Sequence, residues 1–185
     1  MNKNYKLSRD TTGLLLIDVQ EKLFPYVENS CPVMQTLQKA VRGFQILSLP
    51  IYVTEQYPQG LGSTVATLKG VLGPAQAYLV KTTFSCLDDT AIKDELLKAP
   101  VDQWVVVGIE AHVCVLQTVK DLIEAGKQVT VLNDAISSRS IYDFSTAIAE
   151  LRDCGARISS TETVLFELLR NSKAAEFKEI SQLIK

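Results

Sequence analysis

Cysteine is the most nucleophilic side chain near neutral pH, and its reactivity depends on what stands beside it. Cys114 closes the segment Gly108-Ile109-Glu110-Ala111-His112-Val113-Cys114, between an apolar run ending at Val107 and a helical pattern that begins at Val115. A thiol at a helix N-terminus meets free N–H groups and the positive end of the helix dipole, which predicts a depressed pKa. Asp18 follows the apolar run Leu14 to Ile17, and Lys81 follows Ala77 to Val80. An acid, an amine and a thiol, each at the end of such a run, are the parts of nucleophilic catalysis. Asp18 takes the thiol proton and Lys81 stabilises the anion. Bland readings stand beside these: a free cysteine often serves as a small buried hydrophobe, an Asp after a strand caps a turn, and a Lys there is solvated.

The apolar runs that carry these residues belong to a set of six: Gly13 to Ile17, Pro50 to Thr54, Ala77 to Val80, Trp104 to Val107, Val129 to Leu132 and Ala156 to Ser159. They are rich in Val, Ile and Leu and do not alternate with polar residues, as expected of parallel strands covered on both faces. Between them lie helical patterns at Pro32 to Leu47, Asp89 to Leu97, Val115 to Ala125, Ser145 to Asp153 and Val164 to Leu169. Strands alternating with helices predict right-handed βαβ units and a three-layer α/β/α sandwich. Ligands of open parallel sheets bind beyond the carboxyl ends of the strands, where Asp18, Lys81 and Cys114 fall. Glu55 to Gly73 reads as one long irregular stretch, and such loops often border the site.

With 185 residues, a single domain spanning 1–185 is expected, and the 46% hydrophobic and 22% charged residues describe an ordinary globular chain. The net charge of -2 lacks the basic excess that binds nucleic acid or an anionic membrane, so a small molecule is the expected partner. Met1 to Asp10 has no apolar core of a secretory signal, no run approaches a membrane span, and the four cysteines form no C-x-x-C pair. A cytoplasmic, thiol-reduced protein is predicted. His112 is the one histidine, so a His-rich metal site is excluded; without a phosphate-binding glycine loop, no cofactor is expected. His112 itself reads as a polar residue in a tight helix entry rather than a member of the trio.

Three segments, Leu14-Leu15-Leu16-Ile17-Asp18-Val19-Gln20-Glu21-Lys22-Leu23-Phe24, Lys81-Thr82-Thr83-Phe84-Ser85 and Gly108 to Val115, resemble the three ordered motifs of isochorismatase-like cysteine hydrolases. The likeness runs from about Thr12 to Leu169. It implies a six-stranded parallel sheet of order 3-2-1-4-5-6 and a triad at Asp18, Lys81 and Cys114. It also implies a cis peptide at Ile109-Glu110 and an oxyanion hole formed by the backbone N–H groups of Glu110 and Cys114. The implied reaction is acyl transfer: Cys114 attacks a carbonyl, commonly that of an amide, and water hydrolyses the thioester. Nicotinamidases of this superfamily hold a metal with an Asp and two or more His, whereas the corresponding loop here, Thr54-Glu55-Gln56-Tyr57-Pro58, has none. That loop and Asp134 to Arg139 look closer to the short isochorismatase-domain-containing proteins.

Gln20 and Phe24, a helical turn apart, are candidate substrate-binding residues, with Phe24 equally suited to a core. Asp134 and Arg139 are expected to hold the loop after the fifth strand. A homo-oligomer, dimer or tetramer, is expected, with an exposed apolar helix face at Val164 to Leu169 as its interface. The rival reading is a catalytically silent binding or scaffold protein on the same fold.

Overall fold

The computed structural model describes residues 5–185; the first four residues of the leading segment lie outside it. Six strands form one all-parallel sheet in the order β3-β2-β1-β4-β5-β6. They are β1 (Thr12–Ile17), β2 (Ile51–Gln56), β3 (Tyr78–Lys81), β4 (Gln103–Ile109), β5 (Gln128–Ser137) and β6 (Arg157–Ser159). The expected sheet and strand order are therefore present. Each of the six apolar runs became a strand because it could be buried on both faces. In β1, Leu14 and Leu16 enter one core cluster, while Leu15 and Ile17 enter the other. Residues of β4 divide in the same way, Val105, Val107 and Ile109 against Trp104 and Val106.

One face is covered by α1 (Ser30–Ile46), α3 (Ala66–Leu72), α7 (Thr161–Leu169) and α8 (Phe177–Ile184), through Leu37, Val41, Phe44, Leu68, Leu165, Leu168 and Ile180. The other is covered by α4 (Thr90–Lys98), α5 (Leu116–Glu124) and α6 (Ile141–Asp153), through Ile92, Leu96, Val119, Leu122, Ala147 and Leu151. A short α2 (Pro58–Leu61) follows β2. Among the described residues, no helix is long and apolar enough to cross a membrane.

Three local expectations are corrected. Glu55 to Gly73 is not one irregular loop: β2 continues to Gln56, and α2 and α3 follow. The sequence of α3, ATLKGVL, carries a glycine and too few apolar positions for a clear helical period, so packing of Leu68 and Leu72 against α1 decides its form. Second, Val164, Leu165, Leu168 and Leu169 are buried beneath α7; of that stretch only Phe166 is exposed. Those residues form core and supply no interface. Third, β5 runs to Ser137, five residues past the predicted end, by bulging. Val106 pairs with Val131, but Gly108 pairs with Ile136. The extra β5 residues include Asp134, whose carboxylate accepts the Thr161 N–H at 3.0 Å at the start of α7.

Gly108 sets the spacing that the site depends on. Its φ is +118°, and a Cβ there would lie 2.1 Å from the Ile17 carbonyl oxygen. Only glycine allows β1 and β4 to approach this closely where both strands leave the sheet.

Candidate active site

Asp18 leaves β1 with φ 52°, a left-handed conformation unusual for a non-glycine residue. The segment beyond it is tied to the loop before α3: Val65 N–H donates to Val19 O at 3.0 Å, and Glu21 N–H to Ser63 O at 3.0 Å. Gln20 completes this tie. Its Nε2 donates to Gln56 O at 2.9 Å and to Gly62 O at 2.6 Å, while its Oε1 accepts the Gln56 N–H at 2.7 Å. Both amide hydrogens of this fully buried side chain are thereby spent. The expectation that Gln20 offers them to a substrate is corrected: it braces the Asp18 loop. Phe24 lies in a short 3-10 turn, Phe24–Tyr26, and belongs to the core cluster around α1.

The side chains of Asp18 and Lys81 are both fully buried and form an ion pair, with Nζ 2.6 Å from Oδ2. Lys81 also donates to Gln56 Oε1 at 2.8 Å, Thr83 O at 3.2 Å and Phe84 O at 3.1 Å. Four oxygens surround three ammonium protons. Desolvation alone would lower the Lys81 pKa, but Asp18 and the thiols of Cys86 and Cys114 outweigh it, and the pKa is raised. Lys81 is thus a fixed cation and does not donate protons. A buried ion pair of this kind persists only when its remaining valences are met, as they are here. The second Asp18 oxygen, Oδ1, accepts from the Thr54 hydroxyl at 2.6 Å.

Cys114 lies in a π-helical turn, Ala111–Val115, that precedes α5, so the thiol sits one turn before the α-helix. The Glu110 carbonyl accepts from Val113 at 3.1 Å and Val115 at 3.2 Å, the residues on either side of Cys114. The Ile109-Glu110 peptide is cis, as the resemblance implied. The thiol is buried, within reach of the charges of Asp18 and Lys81. Burial and then the Asp18 charge push its pKa up to about 12, against the opposing pull of Lys81. The depressed pKa expected from a helix N-terminus is therefore corrected. Desolvation dominates, and the Asp18 charge outweighs that of Lys81. The resting state is a thiol facing a carboxylate.

The structure thus brings together Asp18, Lys81 and Cys114 from the ends of β1, β3 and β4. Sequence reasoning missed Thr54, Gln56 and Cys86, which complete the shell. The signal available for Thr54 and Gln56 was their place at the end of the second strand; Cys86, five residues past Lys81, carried none. His112 turns elsewhere, its Nδ1 3.0 Å from Ser138 Oγ and its Nε2 3.9 Å from Asp143. Arg139 pairs with Glu110 at 2.8 Å, so it and Asp134 are engaged within the protein.

The sequence pattern of the isochorismatase domain matches residues 12–163, a span that includes all three strand ends. This chain belongs to the isochorismatase family. Isochorismatase domain-containing protein 2 of Danio rerio is 36% identical over 179 residues, covering 97% of this chain and 89% of its own. Among solved structures, the MAR1 ribonuclease from Caenorhabditis elegans is similar at 38% identity and TM-score 0.91, over 97% of this chain and 92% of that one. The YcaC gene product of Escherichia coli, described as an octameric hydrolase of unknown specificity, has TM-score 0.91 at 21% identity, over 97% and 89%. At that identity the likeness concerns the fold alone. Family membership gives this isochorismatase-family chain a function of hydrolase type.

Proposed function

We propose that this isochorismatase-family protein is a cysteine hydrolase of small-molecule amides or related carbonyl compounds, acting through a thioester on Cys114. The observation that carries the reading is the Asp18 carboxylate, buried between the Lys81 ammonium and the Cys114 thiol. As sulfur bonds to the substrate carbonyl carbon, the thiol proton passes to Asp18. The tetrahedral intermediate collapses, its C–N bond breaks, and the departing amine takes that proton. Water then attacks the thioester and gives a proton to Asp18. Collapse releases the carboxylic acid, and the proton returns to sulfur. Lys81 holds the Asp18 carboxylate in place through the 2.6 Å ion pair, and the developing oxyanion falls to the backbone N–H groups of Glu110 and Cys114. Bonds from Val113 and Val115 to Glu110 O shape the turn in which the Cys114 N–H lies. A cytoplasmic location and a small-molecule partner fit the acidic balance of the chain.

The test is a panel of small amides, N-carbamoyl compounds, nicotinamide and, given the name of the C. elegans neighbour, an RNA oligonucleotide. Wild type and Cys114→Ser are compared, and the intermediate is trapped for mass spectrometry. Turnover of an amide with an acyl adduct on Cys114, lost in the variant, is expected. An active Cys114→Ser protein, or cleavage of RNA alone without an adduct, refutes the reading. Self-association belongs to the same proposal, supported by the octameric state of the E. coli neighbour and by exposed Tyr26, Ile141 and Tyr142. Sedimentation at only 20.4 kDa counts against it.

A further inference from the structure

The Asp18 carboxylate has two oxygens and three close partners. Lys81 holds Oδ2 and leaves the group free to turn about its Cβ–Cγ bond. Oδ1 is held by Thr54, which is fully buried on β2, and whose own carbonyl accepts the Asp18 N–H at 3.3 Å. A hydroxyl has one proton, and at 2.6 Å the carboxylate takes it. The Thr54 hydroxyl is therefore held toward Asp18. The titratable groups facing Asp18 are Lys81 from β3, Cys86 from the loop after it, and Cys114 from the π-helical turn. The neighbouring Glu55 is engaged instead by Thr64 N–H and Oγ1, at 2.6 and 2.8 Å.

We propose that Thr54 is a positioning residue: by pinning Oδ1 it keeps a lone pair of the Asp18 carboxylate aimed at the Cys114 thiol. This rests on the reading of Asp18 as the base. A carboxylate held at one oxygen by a buried donor keeps its plane fixed, so Thr54 sets the direction in which the base works.

Thr54→Val keeps the shape and removes the donor, while Thr54→Ser keeps the donor. The readout is the rate of Cys114 alkylation by iodoacetamide against pH, followed by peptide mapping, which needs no substrate. In that reaction sulfur displaces iodide and the thiol proton passes to Asp18. Thr54→Val should lower the Cys114 rate about tenfold at neutral pH, because the carboxylate is no longer aimed at the thiol proton. Thr54→Ser should keep the wild-type rate. A role in packing alone would reverse this order, since Val keeps the shape and Ser does not. In Asp18→Asn the rate should instead follow ionisation of the Cys114 thiol. A wild-type rate in Thr54→Val, with the Asp18→Asn profile changed, overturns the assignment to Thr54 only. An Asp18→Asn profile that matches wild type overturns the reading of Asp18 as base, and this inference with it. Should Thr54→Val fail to give a folded circular dichroism spectrum, Thr54→Ala carries the same expectation.

Discussion

Cys114 rests as a thiol with its pKa pushed up to about 12, first by burial and then by the charge of Asp18. The group that holds the proton on sulfur at rest is also the one that removes it, so the two roles of Asp18 come apart on mutation. Asp18→Asn removes a negative charge beside the thiol while Lys81 remains, which should lower the Cys114 pKa well below its wild-type value. Hydrolysis should nevertheless fall by about 100-fold or more, because the amide cannot carry a proton between sulfur, leaving group and water. Thiolate absorbance titrated in wild type and in the variant measures the first effect, and turnover of the best amide the second. A variant whose thiol titrates like wild type would show that burial alone sets the pKa. Sequence spacing placed all three groups at strand ends but read the thiol pKa in the wrong direction. A helix N-terminus is visible in a sequence, whereas the depth of burial and the pairing of Lys81 with Asp18 are not.

The strands were legible because a parallel strand covered on both faces must be apolar throughout, and β1 and β4 are wholly buried. What escaped was decided by tertiary contact. The helix α3 forms against α1, β5 is prolonged by a bulge, and the turn holding Cys114 is π-helical because its carbonyls reach one residue farther than in an α-helix. Gln20 looked like a pocket residue because its spacing after Asp18 is visible in the chain, while its partners Gln56 and Gly62 lie 36 and 42 residues away. Element geometry also predicts a contrast between two buried glycines. A Cβ at Gly43 meets the Leu165 side chain at 2.4 Å, which can rotate aside, whereas one at Gly108 meets the Ile17 backbone at φ +118°. Gly108→Ala should therefore cost about 4 kcal/mol or more, and Gly43→Ala about 1 to 3 kcal/mol. Urea unfolding of the two variants measures both, and equal losses would mean that the β1–β4 approach is not rigid.

At the scale of the whole molecule, the buried site makes stability depend on alkaline pH. Cys86 is pushed up to about 11 and Cys114 to about 12, in each case chiefly by burial. Both thiols ionise in the unfolded chain at about pH 8.5, so between that pH and their folded values the native state binds more protons than the unfolded state. Stability then falls as pH rises, by about 1.4 kcal/mol per pH unit for each thiol that remains protonated only in the fold. Lys81 acts with the same sign at higher pH. Its raised pKa contributes stability fully below about pH 10.4 and loses it as pH climbs through the folded value. The tyrosines Tyr5, Tyr52 and Tyr78, raised mainly by desolvation, add to the same trend. Urea unfolding under reducing conditions at about pH 8 and about pH 10 should show a marked loss at the higher value. In a Cys86→Ala, Cys114→Ala double variant, whose starting stability will differ, the drop between the two pH values should shrink. A double variant that loses as much as wild type over that interval would assign the alkaline sensitivity to the tyrosines and Lys81, and would remove the thiols from the account of how this fold holds its site.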